Sequence, residues 1–417
     1  MFRLNRLQTQ PIGVDIGHDS VKMLQLEVRE NGLAVHASAR RMLDGASAAG
    51  QGNAAELISP QAAQAIRELL RGGQFNGRSA VAALPRHIVH VKNLRLPPMP
   101  PGELATVIDF ESRGAFPFDT QEAHVEFLVA GEIRQGTDVR QEVVVLAARN
   151  ADVDRFVEQL HRTGLVLDSL DVEPCALYRT IDRFVRRKED EQEVHVLVDV
   201  GTKCTQVLIG KGRDISFFKA IEMGGADFNS AVSRKLGVRA DEARALRRRL
   251  IDQPEGARPD TVRLAVLDAT RSTVESLARE VSLCLRYHSV TFRGQRPMRV
   301  RLSGGEGGDP QLLSMLHSVL GIPVEPSRPL LSVDCATMPG FDNRKASGDW
   351  AVAMGLGLKR TGGKFAPRDG TPRSMMPAAP TVPAGAVPAG VAGQGQAQKA
   401  AEPAVVTLSK SQEAVNA

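Results

Sequence analysis

The chain has 417 residues, 42% hydrophobic and 24% charged, with a formal net charge of +5. At about 150 residues per domain this length implies about three compact units and excludes a single small domain that needs disulfide staples. Aromatic residues make up only 4%, too few for stacked-base or carbohydrate platforms, and with acidic residues interspersed almost throughout, bulk charge does not point to nucleic acid.

Cys175, Cys204, Cys284 and Cys335 lie far apart with no CxxC pair, which excludes a zinc ribbon or a dense disulfide framework and fits a reducing compartment. Met1 to Gln10 carries Arg3 and Arg6 but no apolar stretch, and no uncharged apolar run reaches the roughly 18 residues of a membrane helix. A cytoplasmic protein is the expectation.

In chain order, Ile12 to Val28 reads as two strands joined by a tight turn, and Asn31-Gly32 turns into a third strand near residues 33–39. Ser59-Pro60 opens a helix with Ala63, Ile66, Leu69 and Leu70 on one face, closed by Gly72-Gly73, and Ser79 to Leu84 is a strand. These elements form the N-terminal part of a first subdomain, residues 11–84. From Pro85 to Gly164 the pattern changes to that of an inserted α+β module: strand 88–96, a Pro-rich turn, helix 102–114, strands near 125–129 and 143–147, and helix 151–163. Residues 165–193 complete the first subdomain with a strand, a helix from Pro174 to about Arg187, and a polar hinge.

The second subdomain, residues 194–360, opens with strand-turn-strand over Val194 to Ile209 and a further strand through 217–221. Helices at 226–236, 241–250 and 260–287 make residues 225–298 its smaller, helix-rich part; a strand at 299–302 and helices at 310–320 and 351–358 follow. Ala, Pro, Gly, Ser and Gln dominate the end of the chain, so 361–417 is expected to be a disordered tail.

Val14-Asp15-Ile16-Gly17 can be laid over Val198-Asp199-Val200-Gly201, each leading through a polar turn into an apolar strand. A duplicated strand-turn-strand implies an α/β fold of two similar subdomains facing across a cleft. Its chemistry follows from the residue types: the glycine lets amide N–H groups point at an anion, and the aspartate before it can orient a hydrated metal ion. Candidate phosphate-binding residues are therefore Asp15, Gly17, Ser20 and Lys22 in the first hairpin and Asp199, Gly201 and Thr202 in the second, with Mg²⁺ held through water by Asp15 and Asp199. Gly224-Gly225 and Gly304-Gly305 each precede a helix, where close approach and the helix dipole favour a negative ligand. The chain has no G-x-S-x-G elbow and no G-x-x-x-x-G-K-[ST] loop. His87 and His90 read as surface residues, Arg247 to Arg249 as a solvated helix face, and Glu173 as a helix-start carboxylate, with a water-orienting base as its alternative role.

Two phosphate hairpins followed by the late loop Leu302 to Gly307 resemble the actin-like ATPase superfamily, which includes actin, the heat-shock chaperone ATPase domain, sugar kinases and FtsA. Three stretches make the chain similar, more specifically, to the PilM family of type IV pilus assembly proteins: Ile12 to Lys22; Leu96-Pro97 followed by Glu103-Leu104 and Glu111 to Pro117-Phe118; and Val198 to Gly201 leading to Gly224-Gly225. The resemblance covers about residues 11–360. It implies duplicated ribonuclease H-like subdomains with the extra module between the two parts of the first, ATP and Mg²⁺ in the cleft, and Ser303, Gly304, Gly305 and Glu306 on the adenosine side. It also implies capture of the cytoplasmic N-terminal peptide of a PilN-like inner-membrane protein, contact with other pilus assembly components, and a location peripheral to the inner membrane through partners. With no water-positioning residue identified, weak or absent ATPase activity is the expectation. The chain departs from similar proteins at Asp241 to Arg247, which offers arginines beside the nucleoside where they carry an acidic residue and a lysine. A small-molecule kinase is disfavoured by the module, and an FtsA-like membrane tether by the short, weakly apolar segment Val405 to Ala417.

Overall fold

Short apolar segments broken by glycine-rich turns pair into three sheets in this computed structural model, which describes residues 8–361 except 31, 44–55, 136, 252–260, 293–295 and 343–344. The expected tail lies outside the described residues from 362 onward, as does Asn31 of the second turn. The chain opens with β1 (Gln8–Thr9), β2 (Ile12–Ile16), β3 (Ser20–Arg29) and β4 (Gly32–Met42), the last three forming an antiparallel meander. Helix α1 (Pro60–Arg71) begins where Ser59 accepts a hydrogen bond from the Ala62 N–H at 3.1 Å and Pro60 fills the first turn. Strand β5 (Ser79–Ala83) then adds in parallel to β2.

The chain next builds β6 (His90–Leu96), α2 (Pro101–Glu111), β7 (Ala123–Gln135), β8 (Asp138–Arg149) and α3 (Asn150–Arg162). The three strands form their own sheet in the order β6-β8-β7. Leu104 and Ile108 of α2 are buried against Val143 and Val145 on one face of it. Val153, Phe156 and Leu160 of α3 pack instead into the main core with Ile66 of α1 and Leu167 and Leu170 further on. Strand 88–96 was expected to start at Ile88, but Arg86–Ile88 form a 3₁₀ turn, which leaves His87 exposed; His90 packs edge-on against Phe118 with ring centroids 4.9 Å apart.

β9 (Val166–Asp171) pairs with β5 in the order β4-β3-β2-β5-β9, with β1 on β3. Helix α4 (Glu173–Asp182) ends five residues before the expected Arg187, because the Phe184 and Val185 amides close 3₁₀-type turns onto the Ile181 and Asp182 carbonyls.

The second half repeats the plan. β10 (Val194–Val200), β11 (Thr205–Lys211) and β12 (Asp214–Ile221) form a meander, followed by α5 (Gly225–Leu236), α6 (Ala240–Ile251) and α7 (Thr261–Phe292). β13 (Val300–Ser303), α8 (Pro310–Leu320) and β14 (Val324–Pro326) complete a sheet ordered β12-β11-β10-β13-β14. Every residue of β10 is buried, His195 and Asp199 included, because it is central in a sheet covered on both faces. Finally β15 (Val333–Asp334) returns to pair with β4, and α9 (Ala351–Gly357) lies on β2 and α4. That crossing is close enough that a Cβ at Gly355 would run into the Ala176 carbonyl. Among the described residues no helix is long and apolar enough to cross a membrane.

Candidate functional site

The two halves match strand for strand, β4-β3-β2-β5-β9 against β12-β11-β10-β13-β14, and the match extends to single hydrogen bonds. The Gly17 N–H donates to the Ser20 carbonyl at 3.0 Å, and the Gly201 N–H to the Cys204 carbonyl at 3.0 Å. A side chain at either glycine would crowd that same carbonyl, at 3.1 and 3.0 Å, so glycine keeps the turn tight. Across the hairpins Asp15 stands opposite Lys22, and Asp199 opposite Gln206. The equivalent positions have diverged in chemistry: Lys22 Nζ donates to Asp15 Oδ2 at 2.9 Å, whereas Gln206 Nε2 reaches out of its hairpin to donate to Glu173 Oε2.

Glu173 is therefore more than a carboxylate at the head of α4. Burial, then the charges of Asp15 and Asp199, push it up to about 7 against the opposing Gln206 bond. Burial, and secondarily the charge of Asp15, push Asp199 up to about 7 against the pull of the Ser303 side chain. Three carboxylates and Lys22 thus share the floor of the cleft. Among the described residues no group of three or more His, Cys, Asp or Glu can hold a metal ion directly. The arrangement suits a cation that keeps most of its water and meets one or two carboxylates, as Mg²⁺ does.

Above this floor lies a pocket enclosing about 350 Å³ of space that includes solvent. Of the expected residues, Gly201, Thr202, Gly225, Gly305 and Glu306 line it; Asp15, Gly17, Ser20, Lys22, Asp199, Gly224, Ser303 and Gly304 do not. The helix-start amides expected to face an anion at Gly224-Gly225 are engaged within the protein. The Gly224 N–H donates to Asp227 Oδ2 at 2.9 Å, Gly225 to the Gly201 carbonyl at 2.9 Å and Ala226 to the Thr202 carbonyl at 2.7 Å. Gly224-Gly225 does open α5, but Gly304-Gly305 does not open a helix: a turn intervenes, and α8 starts at Pro310, capped by Asp309, which accepts from the Gln311 N–H at 2.9 Å. A Cβ at Gly304, whose φ is +84°, would strike the Val200 backbone, whereas one at Gly305 would meet only Arg248 at 3.8 Å.

The Type IV pilus assembly protein PilM model matches residues 13–361. The chain belongs to the PilM family. A solved PilM-PilN type IV pilus biogenesis complex is similar, with a TM-score of 0.67 and 24% identity over 86% of this chain and 99% of that one. The ethanolamine utilization protein EutJ from Carboxydothermus hydrogenoformans is more distant, with a TM-score of 0.48 and 14% identity over 84% and 89% of the two chains. No curated protein matches this sequence. The fold is the actin-like one, two matched α/β halves about a cleft.

In this PilM-family chain the pocket also holds residues that sequence reasoning passed over. Arg247, expected on a solvated face, is buried at 5% exposure; it donates to Glu306 at 2.6 Å, Asp309 at 3.1 Å and Asn229 at 2.9 Å, with its guanidinium over Phe228. Glu306 is thereby tied to α6. Asp19, at the tip of the first hairpin, pairs with Arg244 at 2.8 Å and with His18 at 3.2 Å. Burial pushes its carboxyl up, but hydrogen bonds from His18 and Thr202 and the charge of Arg244 outweigh that and hold it below the usual aspartate range. The signal available in the sequence was the i, i+3, i+4 spacing of Arg244, Arg247 and Arg248, which sets all three on one helix face.

Proposed function

We propose that this chain is an ATP-binding, actin-like cytoplasmic scaffold of the inner-membrane complex that assembles type IV pili. In this reading it captures the cytoplasmic N-terminal peptide of a PilN-like membrane protein and is peripheral to the membrane only through such partners. The observation that carries the proposal is the pair of equivalent hairpins facing one another across the cleft in a chain of the PilM family. The Gly17 and Gly201 turns with Ser20 and Thr202 would hold phosphates, Lys22 would add positive charge, and Asp15 and Asp199 would meet Mg²⁺ through its water shell. Gly305, where a Cβ would meet only the Arg248 side chain, would face the nucleoside. ATP with Mg²⁺ supplies, when bound, a charge that both halves contact, and so biases the cleft toward the arrangement that binds it better.

The partner peptide would lie between the first subdomain and the β6-β8-β7 module as an extended segment. The partner named in the similar complex supports a PilN-like partner. Calorimetry with ATP-Mg²⁺ and with a synthetic N-terminal peptide of the cognate PilN-like protein tests both parts. Saturable binding of each is expected; a chain that binds neither would remove the reading.

A further inference from the structure

We propose that Asp19 is a built-in stand-in for a phosphate, and that Arg244 exchanges it for the incoming ligand: in the ligand-free chain the Asp19–Arg244 pair latches the cleft. The exchange rests on the nucleotide reading above; the latch does not.

Asp19 belongs to the first half and both of its far partners belong to the second. Its Oδ2 accepts from Arg244 of α6 at 2.8 Å, the Thr202 side chain at the tip of the opposite hairpin bonds to it, and His18 lies 3.2 Å from Oδ1. An aspartate that served only its own turn would accept backbone amides of that turn; this one is met by a guanidinium, a hydroxyl and an imidazole. Those are the groups that recognise a phosphate oxygen. Asp19, Thr202 and Arg244 line the same pocket as Gly201, Arg248 and Gly305, so the carboxylate sits where a polyphosphate shared by the two hairpins must pass. The two anions repel, so they compete for Arg244.

Other ion pairs also join residues 11–193 to residues 194–360, Arg40 to Asp349 and Arg86 to Glu222 among them, but none of these four side chains lines the pocket, and the Arg86 pair, 43% and 70% exposed, contributes little. Asp19 and Arg244 are 19% and 27% exposed, sheltered enough to hold the halves together and open enough to be displaced.

The test uses the full chain with a distance-reporting label on α1 and another on α6, read without ligand, and calorimetry with ATP-Mg²⁺. Asp19→Asn and Arg244→Gln are each expected to shift the ligand-free distances toward longer values, while Arg86→Gln leaves them unchanged. Asp19→Asn is further expected to bind ATP-Mg²⁺ about tenfold tighter than the native chain and Arg244→Gln about tenfold more weakly, within the usual range of coupling between sites. Unchanged distances in both variants overturn the latch. Equal or weaker nucleotide binding by Asp19→Asn overturns the exchange. No binding by any of the proteins would remove the nucleotide reading and the exchange with it, with the latch then decided by the distances alone. Circular-dichroism melts confirm that each variant is folded.

Discussion

Glu173 and Asp199 carry folded-state values near 7 where the ordinary ones are 4.5 and 3.8. Both are raised, so the folded chain holds these protons more tightly than the unfolded chain. The stabilisation is complete below about pH 4 and is lost as pH rises through about 7. Because the two carboxylates interact, they titrate as a cluster. Thermal melts of the ligand-free protein are therefore expected to fall between pH 5 and pH 8, and Glu173→Gln is expected to flatten that decline, gaining at pH 8. A parallel decline in the variant would mean that the cluster does not govern it. Mg²⁺, which needs ionised carboxylates, should bind more tightly over the same rise in pH. Asp15→Asn and Asp199→Asn are expected to lose most of the stabilisation by ATP-Mg²⁺, about 2.7 kcal/mol at 100 times the dissociation constant, as a thermal-shift series would show. At this scale the Asp-x-Gly turns were legible because everything that makes them is local. Glu173 and Arg247 were not, because their partners lie 33 and 59 residues away in Gln206 and Glu306.

Single elements are held by caps and by a few buried charges. The starts of α1 and α8 were readable from Ser59-Pro60 and Asp309-Pro310, whose side chains serve amides within the next three residues. The end of α4, where 3₁₀-type turns take over, carries no glycine or proline signal, and Arg183 just beyond it donates to the Pro329 carbonyl, 146 residues on. Helix α6 reaches a distant partner in the same way, through Arg247. Arg247→Met leaves Glu306 and Asp309 buried without their cation, and an expected loss of about 3–5 kcal/mol should appear in denaturant melts. A loss below about 1 kcal/mol, the range of a surface pair, would show that the arginine is dispensable. Gly304→Ala should also destabilise, through its positive φ and the Val200 backbone, while Gly305→Ala should fold normally.

At the scale of the molecule the boundaries are less clean than the sequence suggests. Helix α3 follows the β6-β8-β7 strands in the chain yet packs with the first sheet, and Gln159 on it accepts the Leu57 and Ile58 amides at 3.0 and 2.8 Å. Phe156→Ala is accordingly expected to cost about 3–5 kcal/mol of global stability, measured by denaturation, rather than to loosen the module alone. Strand β7 also touches β12 and α7, where the Phe292 ring lies 3.6 Å from the position of a Cβ at Gly131, so the module leans on both halves. Removing residues 366–417 should leave the melting temperature and nucleotide binding unchanged, because their composition offers no patterned apolar surface.

The first sheet is finished by the last part of the chain. Val333 and Asp334 extend it beside Leu33 and Ala34, and Ala353 and Met354 of α9 complete the cluster around Leu24, Leu26 and Val35. Arg29 and Asp334, 305 residues apart, are joined at 2.6 Å. During synthesis the N-terminal half must therefore wait, with one side of its core uncovered, until nearly the whole described chain has left the ribosome. Stable folding of the first sheet is expected only after residues 333–358 have emerged, rather than unit by unit. Stalled chains ending before Val333 should be cut by protease within β2 to β4, while chains released after Thr361 should resist.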